Sequence, residues 1–117
     1  MDSIEGLRKA LLHFRDERDW AQFHTLRNLI VSLNLEAGEL LELTQWRGEE
    51  EMRALAGQPD GREALAGECA DILLYLILVA DSAGIDLIEA ARQKLERNAE
   101  RYPVEKCRGS SAKYDRL

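Results

Sequence analysis

Residues 68–83 read GluCysAlaAspIleLeuLeuTyrLeuIleLeuValAlaAspSerAla, and this stretch decides the fold. From Ile72 to Ala80 no residue is polar apart from the phenol of Tyr75, and Asp71 and Asp81 bracket the run. It is far shorter than the ~20 residues a membrane helix needs. Few β-branched residues and only two prolines, Pro59 and Pro103, point to helix rather than strand. The expected helix runs from about Arg62 to Ala83. Asp60 and Glu63 have the spacing of a capping box, and Gly84 suits the left-handed position that closes a helix. A helix that is apolar on every side must be buried all round. The remaining helices are too few and too short to surround it, so a homo-oligomer is expected.

Upstream, a helix is predicted from Thr25 to Arg47. Leu26, Leu29, Ile30, Leu33, Ala37, Leu40 and Leu41 form its core face, although Asn34 falls inside that stripe. Gly48 is the expected left-handed residue after it. A first helix, Ser3 to Arg18, carries Ile4, Leu7, Leu11 and Phe14 as one apolar stripe, with Ser3 as N-cap. Residues 48–61 are polar, include Glu49, Glu50 and Glu51, and end in Pro59-Asp60-Gly61, a turn signal; Glu49 to Ala56 has the makings of a short helix. A last helix runs from Asp86, again with capping-box spacing to Glu89, to Arg101, where Pro103 ends it. The fold class is thus all-α, a four-helix-type bundle. Residues 1–105 form one domain, and 106–117 a polar, locally basic, extended tail.

A net charge of −6 argues against general nucleic-acid binding, which requires a basic face. It leaves room for an anionic small ligand, because a bound cation reverses the local sign. The two cysteines, Cys69 and Cys107, have neither zinc spacing nor the density of a disulfide scaffold. Cys69 reads as a small core residue. The N-terminus lacks the pattern of a signal peptide, and a reducing cytoplasm fits.

Two acidic pairs stand out, Glu36-x-x-Glu39 and Glu68-x-x-Asp71. Residues three apart share a helical face, so each pair aims two carboxylates at one place. Hard oxygen ligands of this kind select magnesium or manganese. Such pairs also arise by chance: Asp2/Glu5, Asp16/Asp19, Glu39/Glu42 and Asp86/Glu89 have the same spacing. The chosen pairs differ in setting, since Asp71 abuts the apolar run and Glu36 borders the core face of its helix. Residue chemistry alone leaves a metal site and a solvated acidic face equally open. Lys94, Asn98 and Tyr102 recur along the last helix, with Arg101 beside them; their spacing fits a grip on phosphate oxygens or a solvent-facing stripe. Trp20, Phe23 and His24 precede the second helix and Trp46 ends it, with Asn28, Ser32, Glu36 and Glu39 on roughly one side. Aromatics there either stack a nucleobase or pack a helical corner. There is no Glu-x-x-His, His-Glu-x-x-His, P-loop, Gly-x-Gly-x-x-Gly or Gly-x-Ser-x-Gly pattern.

Taken together, several fragments resemble the MazG-type all-α nucleoside triphosphate pyrophosphatases, and within them the dCTP pyrophosphatase branch. They are ArgAspTrpAlaGlnPheHisThrLeuArgAsnLeu (18–29), GluAlaGlyGluLeuLeuGluLeuThrGlnTrp (36–46), GluCysAlaAspIleLeuLeuTyrLeu (68–76), Lys94, Asn98, ArgTyrPro (101–103) and ArgGlySerSerAlaLysTyr (108–114). The resemblance implies that Glu36, Glu39, Glu68 and Asp71 bind magnesium and that Lys94, Asn98 and Tyr102 contact phosphates. It implies that Trp20, His24 and Trp46 line a base pocket, with Asn28 a weaker member. It also implies a dimer or a dimer of dimers, with sites near subunit interfaces. The expected reaction is hydrolysis of a nucleoside triphosphate, dCTP or a modified pyrimidine first, to monophosphate and pyrophosphate, with Glu39 orienting or deprotonating the water. The competing reading is a non-catalytic helical dimerisation module whose acidic pairs are only surface.

Overall fold

A computed structural model describes residues 2–113 and 116, and among these no strand occurs. The helices are α1 (Ile4–Glu17), α2 (Leu26–Glu42), α3 (Glu49–Gly57), α4 (Pro59–Ser82), α5 (Leu87–Arg101) and the short α6 (Val104–Cys107), with a 3-10 turn at Ala21–Phe23. The chain divides into two compact units, Met1–Gly84 and Ile85–Leu117. In the first unit α4 is the central element. α2 packs on it most extensively, α3 next and α1 least.

The caps explain most boundaries. Ser3 Oγ accepts the Gly6 N–H at 3.0 Å, and Thr25 Oγ1 accepts the Asn28 N–H at 3.2 Å. Each satisfies a donor that the first turn of a helix otherwise leaves without a partner. Gly84 is left-handed, at φ 69°, as the sequence suggests. In the second unit Asp86 Oδ1 accepts the Glu89 N–H at 3.1 Å, while the Glu89 carboxylate turns outward to Arg92 and Gln93.

Three boundaries differ from expectation. α2 ends at Glu42, five residues before Arg47. There the backbone tightens into i to i+3 bonds, Thr44 to Leu41 at 2.9 Å and Gln45 to Glu42 at 3.1 Å. The Thr44 hydroxyl also donates to the Leu41 carbonyl at 2.7 Å, drawing off an acceptor the helix would use. The left-handed residue is Trp46, at φ 64°, and not Gly48, which is extended and caps α3. At the other end of α3, Pro59-Asp60-Gly61 is not a turn. Pro59 occupies the first position of α4, where a missing N–H costs nothing and its fixed φ suits the helix. Gln58 is the N-cap and makes no side-chain capping bond, so the Asp60/Glu63 capping box does not form. Gly61 is buried because α3 returns onto it: a Cβ there would collide with the Leu55 carbonyl and approach Leu55 Cδ1 to 2.8 Å. The third difference is where the tail begins: α6 (Val104–Cys107) adds a single helical turn across the expected boundary at 105/106. Tyr114, quoted above in the tail fragment, lies outside the described residues.

The core of the described residues is Leu29, Ile77, Leu78 and Ala80. Within one chain the apolar run is therefore only partly enclosed, with Ile72 to Leu76 and Val79 half-buried. On α2, Leu29 is buried and Leu33 and Leu40 half-buried, but Leu26, Ile30, Ala37 and Leu41 are exposed. Asn34 is exposed too, its amide donating to the Ile30 carbonyl at 2.8 Å, so the polar residue in the stripe interrupts no packed surface. Cys69 is exposed rather than in the core, because it lies in the stretch 62–71 of α4, where only Leu65 and Glu68 are even half-buried. Arg8 and Arg15 both reach Asp81, at 2.7 and 3.7 Å, and tie α1 to the last turn of α4. No helix among the described residues is long and apolar enough to cross a membrane.

Candidate metal and nucleotide site

The docking of α2 on α4 brings Glu36, Glu39 and Glu68 together, with one carboxylate oxygen from each within 4.8 Å of the others. Glu36 and Glu68 are half-buried and Glu39 is exposed. Oε2 of Glu36 and Oε2 of Glu68 are both buried and have no hydrogen-bond partner. Burial first, then a hydrogen bond to Glu39 and its charge, then the charges of Asp71 and Glu68, hold Glu36 above the usual carboxylate range. Burial first, then the charge of Glu39 and a hydrogen bond to it, then Asp71 and Glu42, do the same to Glu68. Buried acceptor oxygens without donors, in a group of like charges, are the donor set a hard cation takes. Asp71 is exposed and is not one of the three clustered carboxylates, but its charge acts on both Glu36 and Glu68.

The aromatic residues sit on two local structures, the 3-10 turn before α2 and the break after it. Trp20 precedes the 3-10 turn, its indole set edge-on to Phe14 with ring centroids 5.7 Å apart. His24 ends that turn half-buried, and its Nδ1 has no partner. Burial, and then the positive charge of Arg15, hold the imidazole below its usual pKa. A neutral imidazole offers one donor and one acceptor, which is what reading a base edge requires. Asn28 is exposed, and its amide donates to the Phe23 carbonyl at 3.2 Å, so part of its capacity is spent locally. Trp46 stands 90% exposed at the break after α2. It lines a cleft of about 470 Å³ with Glu42, Gln45, Arg47 and Glu51. Sequence reading singled out Trp46 but none of the other four lining residues as a site residue; the cleft lies beyond the end of α2, where the Thr44 hydroxyl bonds the Leu41 carbonyl.

In the second unit, Lys94 and Asn98 lie one turn apart on α5, exposed and half-buried respectively. Tyr102 is the residue after the helix, at φ −122° and ψ 65°, so the regular spacing stops at Asn98. Its N–H still donates to the Asn98 carbonyl at 2.9 Å.

The profile of the MazG-like family matches residues 31–117. Over 115 residues, 98% of this chain and 68% of the relative, the sequence is 44% identical to dCTP pyrophosphatase 1 of Rattus norvegicus. The corresponding protein of Homo sapiens is 41% identical over the same shares. The crystal structure of a pyrophosphatase from Archaeoglobus fulgidus superposes with a TM-score of 0.77 at 41% identity, covering 85% of this chain and 91% of that one. By its sequence profile, its relatives and its helical architecture, the chain belongs to the MazG-like family.

Proposed function

We propose that this chain hydrolyses dCTP, or a modified pyrimidine deoxynucleotide close to it, with magnesium, or manganese in its place, held by Glu36, Glu39, Glu68 and Asp71. The chain is a nucleoside triphosphate pyrophosphatase: relatives more than two-fifths identical over nearly its whole length carry that activity. The observation that carries the metal reading is the pair of buried, partnerless oxygens on Glu36 and Glu68 beside Glu39. Bound magnesium supplies positive charge against the triphosphate and lowers the pKa of coordinated water.

The chain's own groups do the rest. Glu39, the exposed member of the cluster, orients a water and accepts its proton as the water oxygen attacks phosphorus. The bond to the bridging oxygen breaks, releasing nucleoside monophosphate and pyrophosphate. Lys94, Asn98 and Tyr102 bind phosphate oxygens. Trp20 and Trp46 stack the base, and His24, with Asn28, reads its edge. The exposed apolar residues of α2 and the half-enclosed run of α4 support a dimer or tetramer built as a helical bundle. Residues 1–105 act as one domain with 106–117 as a tail, and the enzyme works in the cytoplasm on surplus or non-standard deoxynucleotides.

The test is catalytic efficiency on dCTP, dUTP, dTTP, dATP and dGTP, with magnesium and with EDTA, in wild type and His24→Ala. The expected result is a magnesium-dependent pyrimidine preference that flattens in the variant. Better turnover of purines, or an unchanged ranking in His24→Ala, overturns the base assignment. Undiminished turnover in EDTA overturns the metal assignment.

A further inference from the structure

α1 stops at Glu17, and the chain reverses through Arg18 and Asp19. Asp19 takes φ 54°, a left-handed conformation that side-chain-bearing residues adopt rarely. The reversal is fixed by the Trp20 N–H donating to the Arg15 carbonyl at 3.1 Å. It is fixed again by the Gln22 amide donating to the Asp19 carbonyl and to Asp19 Oδ2, each at 3.1 Å. It sets Trp20 against Phe14 at an interplanar angle of 77°, the edge-to-face arrangement that ring quadrupoles favour. The Arg18 guanidinium lies over the Phe14 ring, 3.7 Å from its centroid, and donates to the Phe14 carbonyl at 2.9 Å.

None of this is core packing. Phe14 is 45% and Trp20 43% exposed, and the buried residues, Leu29, Ile77, Leu78 and Ala80, lie on α2 and α4. The stack fixes an indole's orientation while leaving much of its surface free for another planar ring. We propose that Phe14, clamped beneath Arg18, is a positioning residue for Trp20 and sets the affinity for the substrate's base without touching it. The proposal rests on the reading of Trp20 as a base-stacking residue given under Proposed function.

Steady-state kinetics with dCTP and magnesium, on the full chain, test it in Phe14→Leu, Phe14→Tyr and Trp20→Ala. Phe14→Leu should raise KM by about threefold to tenfold, the range of an aromatic pair's coupling, and leave kcat within about twofold. Phe14→Tyr keeps the ring and should restore the wild-type KM. In a Trp46→Phe background, Phe14→Leu should move the Trp20 emission to longer wavelength, and Phe14→Tyr should not. An unchanged KM in Phe14→Leu, with a raised KM in Trp20→Ala, overturns the positioning role and leaves Trp20's own role standing. An unchanged KM in Trp20→Ala overturns both. A loss of kcat shared by the leucine and tyrosine variants marks a structural role and overturns the proposal. If Phe14→Leu does not fold, Arg18→Gln, a change at an exposed side chain, carries the same test: a raised KM at unchanged kcat supports the proposal, and no change overturns it.

Discussion

At the scale of the residue, the acidic cluster makes two separate demands. Asp71 lies outside the three gathered carboxylates yet acts electrostatically on two of them. If it belongs to the ligand set, Asp71→Asn should lower turnover at least as much as losing a ligand's neighbour, about 10- to 100-fold, with no fall in Tm. Full activity at ordinary magnesium concentration removes Asp71 from the set. The second demand concerns pH. Glu36 and Glu68 hold their protons above the usual carboxylate range, so over that window the folded chain carries protons the unfolded chain has released. Stability without metal therefore falls as pH rises through the raised range. A cation binds the ionised form and opposes this, so the gain in Tm from magnesium should grow as pH rises from the usual carboxylate range through the raised one. Melting curves with EDTA and with magnesium give that gain directly, and a pH-independent gain contradicts the shared site. The pairs Glu36/Glu39 and Glu68/Asp71 were legible in the sequence because helical periodicity fixes which residues share a face. That Asp71 falls outside the closest group was not, because it depends on how α2 and α4 are rotated against each other.

At the scale of the element, sequence reading erred where a side chain overrides a residue's reputation. Gly48 looked like the left-handed residue and Pro59 like a turn. In the structure the Thr44 hydroxyl ends α2 early and Trp46 takes the left-handed place, while Pro59 starts α4. The caps at Ser3 and Asp86 were legible because each is a bond between residues three apart; that Thr25 also caps its helix was not singled out. Early termination leaves an indole in a conformation costing about 1–2 kcal/mol. With 90% of its surface in solvent, Trp46 recovers little of that by packing. Trp46→Gly relieves the strain, less about 0.5–1 kcal/mol for glycine's added freedom in the unfolded chain. The variant should keep or gain Tm while KM rises by about one to two powers of ten, the worth of a stacking contact. A lower Tm with KM unchanged would show that Trp46 is there for stability.

At the scale of the whole molecule, the apolar run of α4 promised more burial than one chain supplies. Leu26, Ile30, Val31, Leu35 and Leu41 of α2 are exposed, the last two by 65% and 69%. Contiguous apolar surface on a protein found alone in solution is uncommon. Light scattering at micromolar concentration should give the mass of a dimer or tetramer; a monomer leaves these residues unexplained. Periodicity gave the number of long helices and which faces are apolar, since both follow from local pattern. It was silent on how far a single chain covers them, which depends on partners. One further consequence follows from Gln58, which ends α3 and starts α4 at once. With Gly61 pressed on Leu55 just beyond it, that junction has no slack. Any lengthening of the segment between the two long helices has to enter at Arg47 and Gly48. A library that varies loop length to alter nucleotide preference should cut there and carry residues 49–61 intact.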